Sequence, residues 1–294
     1  MVRLGAFRLS GPAKECRRPL VLAVLRPWID VNNVGSLLLK ELKERYGARR
    51  WGELAMPGRF YDFTRYRPVI DLEEGIRGMA VPNTTIYRAK REGENDLLLL
   101  RLLEPHNLAE VYIASVMKLL KAVEASRYVL LGSMYDAVPH TRPLLVSGYG
   151  MGAGGREDVA RAGAAPITYR GPSSLLNLIT KEAADAGIDA AVFIVSLPQY
   201  VAVDEDHQGK LRLLELLSTL YNIPIAGEDF EKAREQMRMI DLRVETTPEA
   251  KLLLPQLEKA YDARVGEMER GDESSLSDLE EIFRNTPGHD IGKA

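Results

Sequence analysis

The chain has 294 residues, of which 46% are hydrophobic, and its 39 basic and 42 acidic residues leave a net charge of -3. This hydrophobic content suffices for a full core and excludes a largely disordered protein. The balanced charge excludes a broad basic surface for nucleic acid or an anionic membrane. A single cysteine, Cys16, excludes an intrachain disulfide. Because no apolar run could span a bilayer and the first residues lack the apolar core of a signal peptide, we expect a cytoplasmic protein.

The first structural unit is a strand, a loop and a helix. Residues 20–25 form a continuous apolar run, which is typical of a strand buried on both faces. After a loop, apolar residues recur at helical spacing until Gly47 ends the pattern. These apolar residues are Val34, Leu37, Leu38, Leu42 and Tyr46.

The residue pattern changes between residues 51 and 102. An aromatic-rich segment at 60–66 precedes two strand-like segments at 84–90 and 96–102, which a polar turn separates. We interpret these segments as antiparallel hairpins. They predict that the sheet is mixed.

Strands and helices then alternate. The predicted elements are a helix at 108–125, a strand at 128–132, a strand at 166–169, a helix capped by Ser173 or Ser174, a strand at 190–195 and a helix at 210–221. This order predicts an α/β domain with a mixed central sheet and helices on both faces. We assign residues 1–245 to this core domain.

Residues 246–294 are predicted to form a helical, acidic C-terminal extension and tail. Thr247 suits a helix cap and Pro248 suits the first helical position, and a second short helix is expected at 276–283. The first of these helices carries a narrow apolar seam, which either packs on its own domain, the interpretation we favour, or joins two subunits. The seam consists of Leu254, Leu257, Tyr261, Val265 and Met268.

Signatures of cofactor chemistry are weak. The glycine run at 148–155 formally matches a dinucleotide fingerprint, but no apolar helix follows at once and no acidic residue stands about 20 positions on to hold a ribose. We therefore expect a flexible loop there and no cofactor. The chain lacks a phosphate-binding loop, a nucleophile elbow and a His-Glu-x-x-His helix. Its four histidines are scattered, so we expect no metal site.

The loop at residues 138–143 is the strongest candidate for a functional loop. His140 and Arg142 lie between Pro139 and Pro143, directly after a predicted strand. Each proline restricts its own backbone and that of the preceding residue, so the loop should be stiff. Ligands of α/β proteins tend to bind beyond the carboxyl ends of strands.

Other polar residues also follow predicted strands, and a parallel layer would bring them to one sheet edge as a polar crevice. The candidate crevice residues are Asp30, Asn32, Asn33, Glu104, His106, His140, Arg142 and Tyr200. In a ligand site, Arg142 would contact an anion and Glu104 or His140 would act as acid or base. In the alternative, which we favour, these groups satisfy strand-end backbone and hold loops in register.

Several segments together resemble the proteasome-assembly-chaperone family, in particular its bacterial members with a helical C-terminal extension. The resemblance spans roughly residues 18–284. The order and spacing of the matching segments carry more weight than any one segment. The segments are residues 26–36, 103–106, 138–143, 171–174, 197–200 and 257–262.

The resemblance implies an α/β fold similar to that of nucleoside phosphorylases and a homo-oligomer, with a trimer as one candidate. It also implies the proteasome or another protein complex as partner. Some eukaryotic relatives dock on the proteasome through a hydrophobic-Tyr-X tail; this chain ends Lys293-Ala294 without that tyrosine, so we expect any such contact to use another surface.

Our leading hypothesis is a non-enzymatic protein-interaction or assembly factor. The alternative is a protein that binds a nucleoside-like or anionic metabolite, or a hydrolase-like or phosphorylase-like enzyme that uses the crevice.

Overall fold

The computed structural model describes residues 1–73, 76–167 and 173–270. Ten strands form one sheet in the order β1-β2-β4-β7-β8-β3-β9-β12-β10-β11, and β5 pairs with β6 in a separate hairpin. The strands are β1 (Val2–Leu4), β2 (Phe7–Leu9), β3 (Leu20–Arg26), β4 (Arg49–Leu54), β5 (Val69–Glu73), β6 (Ile76–Ala80), β7 (Thr85–Ala89), β8 (Leu97–Leu103), β9 (Arg127–Asp136), β10 (Val146–Met151), β11 (Ala165–Pro166) and β12 (Ala190–Pro198).

Seven α-helices occur within these described ranges. They are α1 (Val34–Arg45), α2 (Ala109–Ala122), α3 (Gly152–Ala162), α4 (Leu175–Asp185), α5 (His207–Tyr221), α6 (Gly227–Thr246) and α7 (Pro248–Arg270). Ser174 caps α4 by accepting a hydrogen bond from the Leu176 amide, so the second of the two predicted caps is the one used.

The centre of the sheet is parallel. Strand β3 pairs in parallel with β8 on one side and β9 on the other, and β9 pairs in parallel with β12. The flanking pairs β7–β8 and β10–β12 are antiparallel, so the predicted mixed sheet and the hairpin at residues 84–102 are confirmed. The apolar run at residues 20–25 lies in β3 and is buried throughout.

The two faces of β3 belong to separate hydrophobic clusters. Val21, Ala23 and Leu25 pack with residues of α2 and α4. The alternate residues Leu22 and Val24 pack with residues of α1 and α5 on the opposite face. Because successive side chains of a strand point to opposite faces, this division places helices on both faces of the sheet, as predicted. The similarity to nucleoside phosphorylases stays a prediction.

The predictions for two segments were wrong. Residues 60–66 lie in turns after a short 3-10 helix and form no strand; Phe60 and Tyr61 are buried instead in the hydrophobic cluster on the α2 face of the sheet. Residues 148–155 are not a loop: they finish β10 and start α3. A Cβ on Gly150 would lie 2.1 Å from the carbonyl oxygen of Gly155, so these glycines permit close packing between strand and helix.

The C-terminal part is helical. Helix α6 was not predicted, because most of its residues are polar and exposed, with only Asp229, Ala233, Ile240 and Val244 buried. Helix α7 starts at Pro248, as the sequence indicated. The second predicted helix at 276–283 and the tail lie outside the described residues. The division into domains at residue 245 stays a prediction; it coincides with the break between α6 and α7.

Candidate functional site

Four parallel strands bring the predicted polar residues to one edge of the sheet. Strands β3, β8, β9 and β12 end there at Arg26, Leu103, Asp136 and Pro198. The loops after these strands carry all eight candidate crevice residues. Hydrogen bonds divide the eight residues into three groups.

The first group surrounds the start of α1. Oδ1 of Asp30 accepts a hydrogen bond of 3.0 Å from the Ser36 amide, and Oδ2 accepts one of 2.5 Å from the Ser36 hydroxyl. Nε of Arg26 lies 3.3 Å from Oδ2 of Asp30. Burial raises the pKa of Asp30 above its ordinary value, although the contacts with Ser36 and Arg26 oppose that shift. A carboxylate here satisfies amides of the first helical turn and interacts favourably with the helix dipole.

Asn32 and Asn33 connect three of the strand-end loops. Both residues adopt left-handed backbone, with φ of 51° and 55°, which asparagine tolerates better than most residues. The Tyr135 hydroxyl donates to Oδ1 of Asn32 at 2.7 Å, and Nδ2 of Asn33 donates to the Asp204 carbonyl at 2.9 Å. These bonds hold the β3 loop against β9 and against the segment that follows β12.

The second group lies beside the turns at residues 60–66. The Asp62 amide donates to Nδ1 of His106 at 3.1 Å, and the His106 ring packs on Tyr66 with 4.4 Å between ring centroids. Burial raises the pKa of Glu104 above its ordinary value. His106 therefore orders a loop, whereas the Glu104 carboxyl is kept closer to its protonated form.

The third group is a chain of three side chains around His140. The Tyr200 hydroxyl accepts a 2.8 Å hydrogen bond from the His140 amide and lies 2.5 Å from Nδ1 of His140. Nε2 of His140 lies 3.1 Å from the acceptor Oδ1 of Asp241, so in the neutral ring Nε2 carries the proton and Nδ1 accepts from the Tyr200 hydroxyl. Burial raises the pKa of Tyr200 to about 12, which keeps the hydroxyl protonated at neutral pH. Both ring nitrogens of His140 are thus occupied.

Arg142 belongs to the same group and binds α7. Its Nε and Nη2 atoms donate to the two carboxylate oxygens of Asp262 at 3.0 and 3.1 Å, and Nη1 donates to Glu258 at 3.2 Å. The bond to Asp262 is bidentate, a geometry that fixes orientation as well as distance. Hydrogen bonding to Asp262 raises the pKa of Arg142, and the guanidinium holds the pKa of Asp262 below its usual value.

Three further contacts complete what we call the α7 anchor, the set of bonds between residues 136–143 and helix α7. The Tyr261 hydroxyl donates to the Pro143 carbonyl at 2.8 Å. Nη1 of Arg264 donates to Oδ2 of Asp136 at 2.9 Å. The Thr141 hydroxyl donates to Glu258 at 2.5 Å. The stiff loop that looked like a ligand site is therefore bound to the protein's own C-terminal helix.

Sequence reasoning missed the acidic partners of this anchor. Glu258 and Asp262 stand four residues apart, one helical turn, which places both carboxylates on one side of α7. That spacing beside Tyr261 was the available signal. Asp241 carried no comparable signal, because it lies on α6, a helix that was not predicted.

The apolar seam packs partly within the chain. Leu257 and Tyr261 are buried, and Leu254 packs against a small cluster that includes Ile240 and Val244. Val265 is partly buried, while Met268 at the end of the seam is 37% exposed. The centre of the seam is thus covered within the chain. The choice between packing on its own domain and joining two subunits stays a prediction.

A groove of about 690 Å³ lies between α6 and the segment that follows β12. Apolar side chains including Val201, Ile240 and Val244 line it, together with the charged residues Lys232 and Arg243. Within the described ranges, no group of three or more His, Cys, Asp and Glu side chains is placed to hold a metal ion. Across the same part of the chain, no helix combines the length and apolar character needed to cross a membrane.

This architecture defines an α/β protein whose mixed sheet anchors a helical C-terminal part at its carboxyl edge. The sequence matches the model of the PAC2 family over residues 24–241. The chain belongs to the PAC2 family. It matches no curated protein.

Solved structures support the same assignment. A PAC2 family protein from Streptomyces avermitilis is 25% identical, with a TM-score of 0.70 over 80% of this chain and 99% of that one. A proteasome-assembly chaperone homologue from Mycobacterium tuberculosis is 21% identical, with a TM-score of 0.71 over 80% of this chain and 99% of that one. An archaeal proteasome activator from Pyrococcus furiosus is 13% identical, with a TM-score of 0.60 over 81% of this chain and 98% of that one.

Proposed function

We propose that this protein is a non-enzymatic, cytoplasmic protein-interaction or assembly factor that acts as a homo-oligomer. The observation that carries the proposal is the α7 anchor. His140 and Arg142, the residues best suited to acid–base or anion chemistry, are both engaged by side chains of α6 and α7. Groups that are saturated by internal partners serve to position those helices rather than to transform a substrate.

The helices held in this way carry exposed apolar side chains. On α6, Met239 and Leu242 are 59% and 58% exposed, and Leu252 on α7 is 75% exposed. Single exposed apolar residues are ordinary, but several on one pair of helices beside an apolar groove favour a protein-binding surface. We assign partner binding to this helical surface, defined by Met239, Leu242 and Leu252.

The names of the structural neighbours suggest the partner. One neighbour is a proteasome-assembly chaperone homologue and another is a proteasome activator. We therefore expect this chain to bind subunits of a proteasome or of another complex during assembly.

The test is complex formation between the purified full-length chain and purified proteasome core subunits, followed by size-exclusion chromatography with light scattering. Substituting both Met239→Glu and Leu242→Glu should weaken binding at least about tenfold, since two apolar contacts contribute well over 1.4 kcal/mol at an interface core. Glu231→Gln, at an exposed position of the same helix outside the groove, is the control that should bind normally. Normal binding by the double variant would reject this surface, and absence of any complex would reject the proteasome as partner.

The second candidate function is binding of a nucleoside-like or anionic metabolite, or hydrolase-like or phosphorylase-like chemistry on one. The groove of about 690 Å³ favours it, because small-molecule sites have volumes in this range. A metabolite thermal-shift screen tests it. A hit whose effect disappears in Arg243→Ala would support the groove as the binding site, whereas an unchanged effect would place the ligand elsewhere.

A further inference from the structure

Two arginines lie side by side on the α1 face of the sheet, at the carboxyl edge of β3 and β8. In the parallel pairing of these strands, Val24 is the partner of Arg101, so their side chains share a face. Val24 packs in the hydrophobic cluster that contains Val34 and Leu38 of α1. Arg26, two residues after Val24, returns to that same face. Both guanidinium groups therefore occupy one small region next to the start of α1.

The two charges are only partly neutralised by the protein. The Arg26 side chain is 34% exposed and lies 3.3 Å from Oδ2 of Asp30, which is already engaged by Ser36. Nη2 of Arg26 also donates to Oδ1 of Asn33 at 3.4 Å. Arg101 is partly buried; Tyr87 and Asp30 act favourably on its charge, but it makes no hydrogen bond or ion pair of its own with any residue that the structure describes. Burial, together with the charge of Arg26, lowers the pKa of Arg101, but an arginine stays protonated in proteins. The region thus keeps a net positive charge with unused N–H donors.

The buried hydroxyl group of Thr85 is a further polar group on this face of the sheet. Thr85 of β7 is the direct cross-strand partner of Arg101 and shares its face of the sheet. Thr85 is only 7% exposed, and its Oγ1 finds no hydrogen-bond partner among the described residues. Buried polar atoms in folded proteins are nearly always paired, so this unpaired hydroxyl, on the cross-strand neighbour of Arg101, is a second group that an added acceptor would satisfy.

We propose that Arg26, Arg101 and Thr85 form a binding site for one compact anionic group, a phosphoryl or carboxylate group carried by a small molecule. With Asp30 ionised, Arg26, Arg101 and Asp30 sum to one positive charge, which one anionic group neutralises. Glu53, which faces Thr85 from β4, is already paired with Arg8 and Arg50. The guanidinium of Arg101 presents the planar fork that both kinds of group match. The site shares no residue with the helical surface of α6 and α7.

The experiment titrates the full-length protein with inorganic phosphate, pyrophosphate and citrate at constant ionic strength, with the thermal midpoint and calorimetric affinity as readouts. We expect a saturable rise of the midpoint. A response to the two phosphates alone identifies a phosphoryl site, and a response to citrate alone identifies a carboxylate site. Absence of a saturable response to all three anions would overturn the proposal.

Substitutions test whether the rise of the thermal midpoint with anions depends on Arg101 and Thr85. Arg101→Met should abolish it without lowering the midpoint of the anion-free protein, because the substitution relieves repulsion from Arg26. Thr85→Val should fold normally and weaken anion binding by about fivefold, the effect of one ordinary hydrogen bond. Arg59→Met, at an exposed arginine outside the region, is the control and should respond like the wild type. Unchanged binding in both Arg101→Met and Thr85→Val would refute the site.

Discussion

Arg142 holds Asp262 through two parallel hydrogen bonds of 3.0 and 3.1 Å, across 120 residues of sequence. This pair joins the loop after β9 to helix α7. It explains why two prolines flank the loop: a stiff loop keeps the guanidinium aimed at a carboxylate that reaches it from a distant helix.

Arg142→Ala should release α7 from the sheet edge without unfolding the core. The substitution removes the contacts to both Glu258 and Asp262, so we expect tryptic cleavage within residues 248–270 to become several-fold faster. Cleavage in the central strands should not change. Gln256→Ala, at an exposed position of α7 that is not a trypsin site, serves as the control. Equal cleavage of wild type and Arg142→Ala would show that other contacts suffice to hold the helix.

Tyr200→Phe should destabilise the protein by about 1–3 kcal/mol, because it leaves the amide and Nδ1 of His140 without their partner. The measurement is the free energy of unfolding in urea. Tyr135→Phe is the matched control: its hydroxyl bonds the Asn32 side chain at an exposed position, so its removal should change stability little. A decrease in the free energy of unfolding below about 0.5 kcal/mol, the size expected of a surface substitution, would mean that the hydrogen bonds between Tyr200 and His140 do not stabilise the fold.

Leu257→Ala should destabilise the protein by about 2–5 kcal/mol, the usual effect of truncating a buried leucine. Leu257 is 2% exposed within the chain, whereas Leu252 on the same helix is 75% exposed. Leu252→Ala should therefore leave the free energy of unfolding nearly unchanged. Similar values for the two variants would contradict the docked position of α7.

Met268→Asp tests whether the apolar seam joins subunits. Because Met268 is 37% exposed, a charge there should be tolerated by the folded chain but not by an interface. We expect a lower mass by light scattering with an unchanged circular dichroism spectrum. An unchanged mass would place any subunit contact elsewhere.

Asp229 should make stability depend on pH in the acidic range. Burial acts to raise the pKa of Asp229, but hydrogen bonds from Lys210 and Arg45, each 2.6 Å long, outweigh it and hold that pKa below its ordinary value. A carboxyl with a depressed folded pKa stabilises the protein fully above its unfolded pKa, and that contribution is lost as the pH falls through the folded value. Urea midpoints measured from pH 7 down to about pH 3 should therefore fall below about pH 4.

Substitution isolates this contribution. Asp229→Ala should destabilise the protein by about 3–5 kcal/mol at neutral pH, because it leaves Lys210 buried without its main partner. It should also flatten the acidic decline. Glu228→Gln, at the exposed neighbour, should retain the wild-type profile. A steep decline that persists in Asp229→Ala would assign the acid sensitivity to other carboxylates.

The sequence predicted the layers of this fold better than its long-range contacts. A run of apolar residues identifies β3, and periodicity identifies α1 and α5, because burial imposes these patterns locally. The sequence also indicated that His140 and Tyr200 lie at the same edge of the sheet, because each follows the carboxyl end of a strand and the two strands pair in parallel. No local pattern shows which distant side chain forms a hydrogen bond with a polar group at that edge. Asp241 and Asp262 reach the edge from helices whose path depends on the packing of the whole chain.

The glycine run illustrates the same limit. Its composition suggests a mobile loop, yet Gly150 is required by its contact with α3, and Gly155 is required by the contact of α3 with Ala190 of β12. Likewise, α6 escaped prediction because its apolar residues are few and its stability comes from anchoring bonds such as those of Asp229. Composition describes a segment, whereas these features depend on its neighbours.

The close approach of Gly150 to Gly155 also bears on evolution. Any side chain at position 150 would overlap the backbone carbonyl group of residue 155, so a substitution there would require the helix to shift. A Gly-x-x-x-x-Gly spacing at the end of an inner strand can therefore serve as a search criterion for distant sequences that retain this strand–helix junction, even where the rest of the chain has diverged.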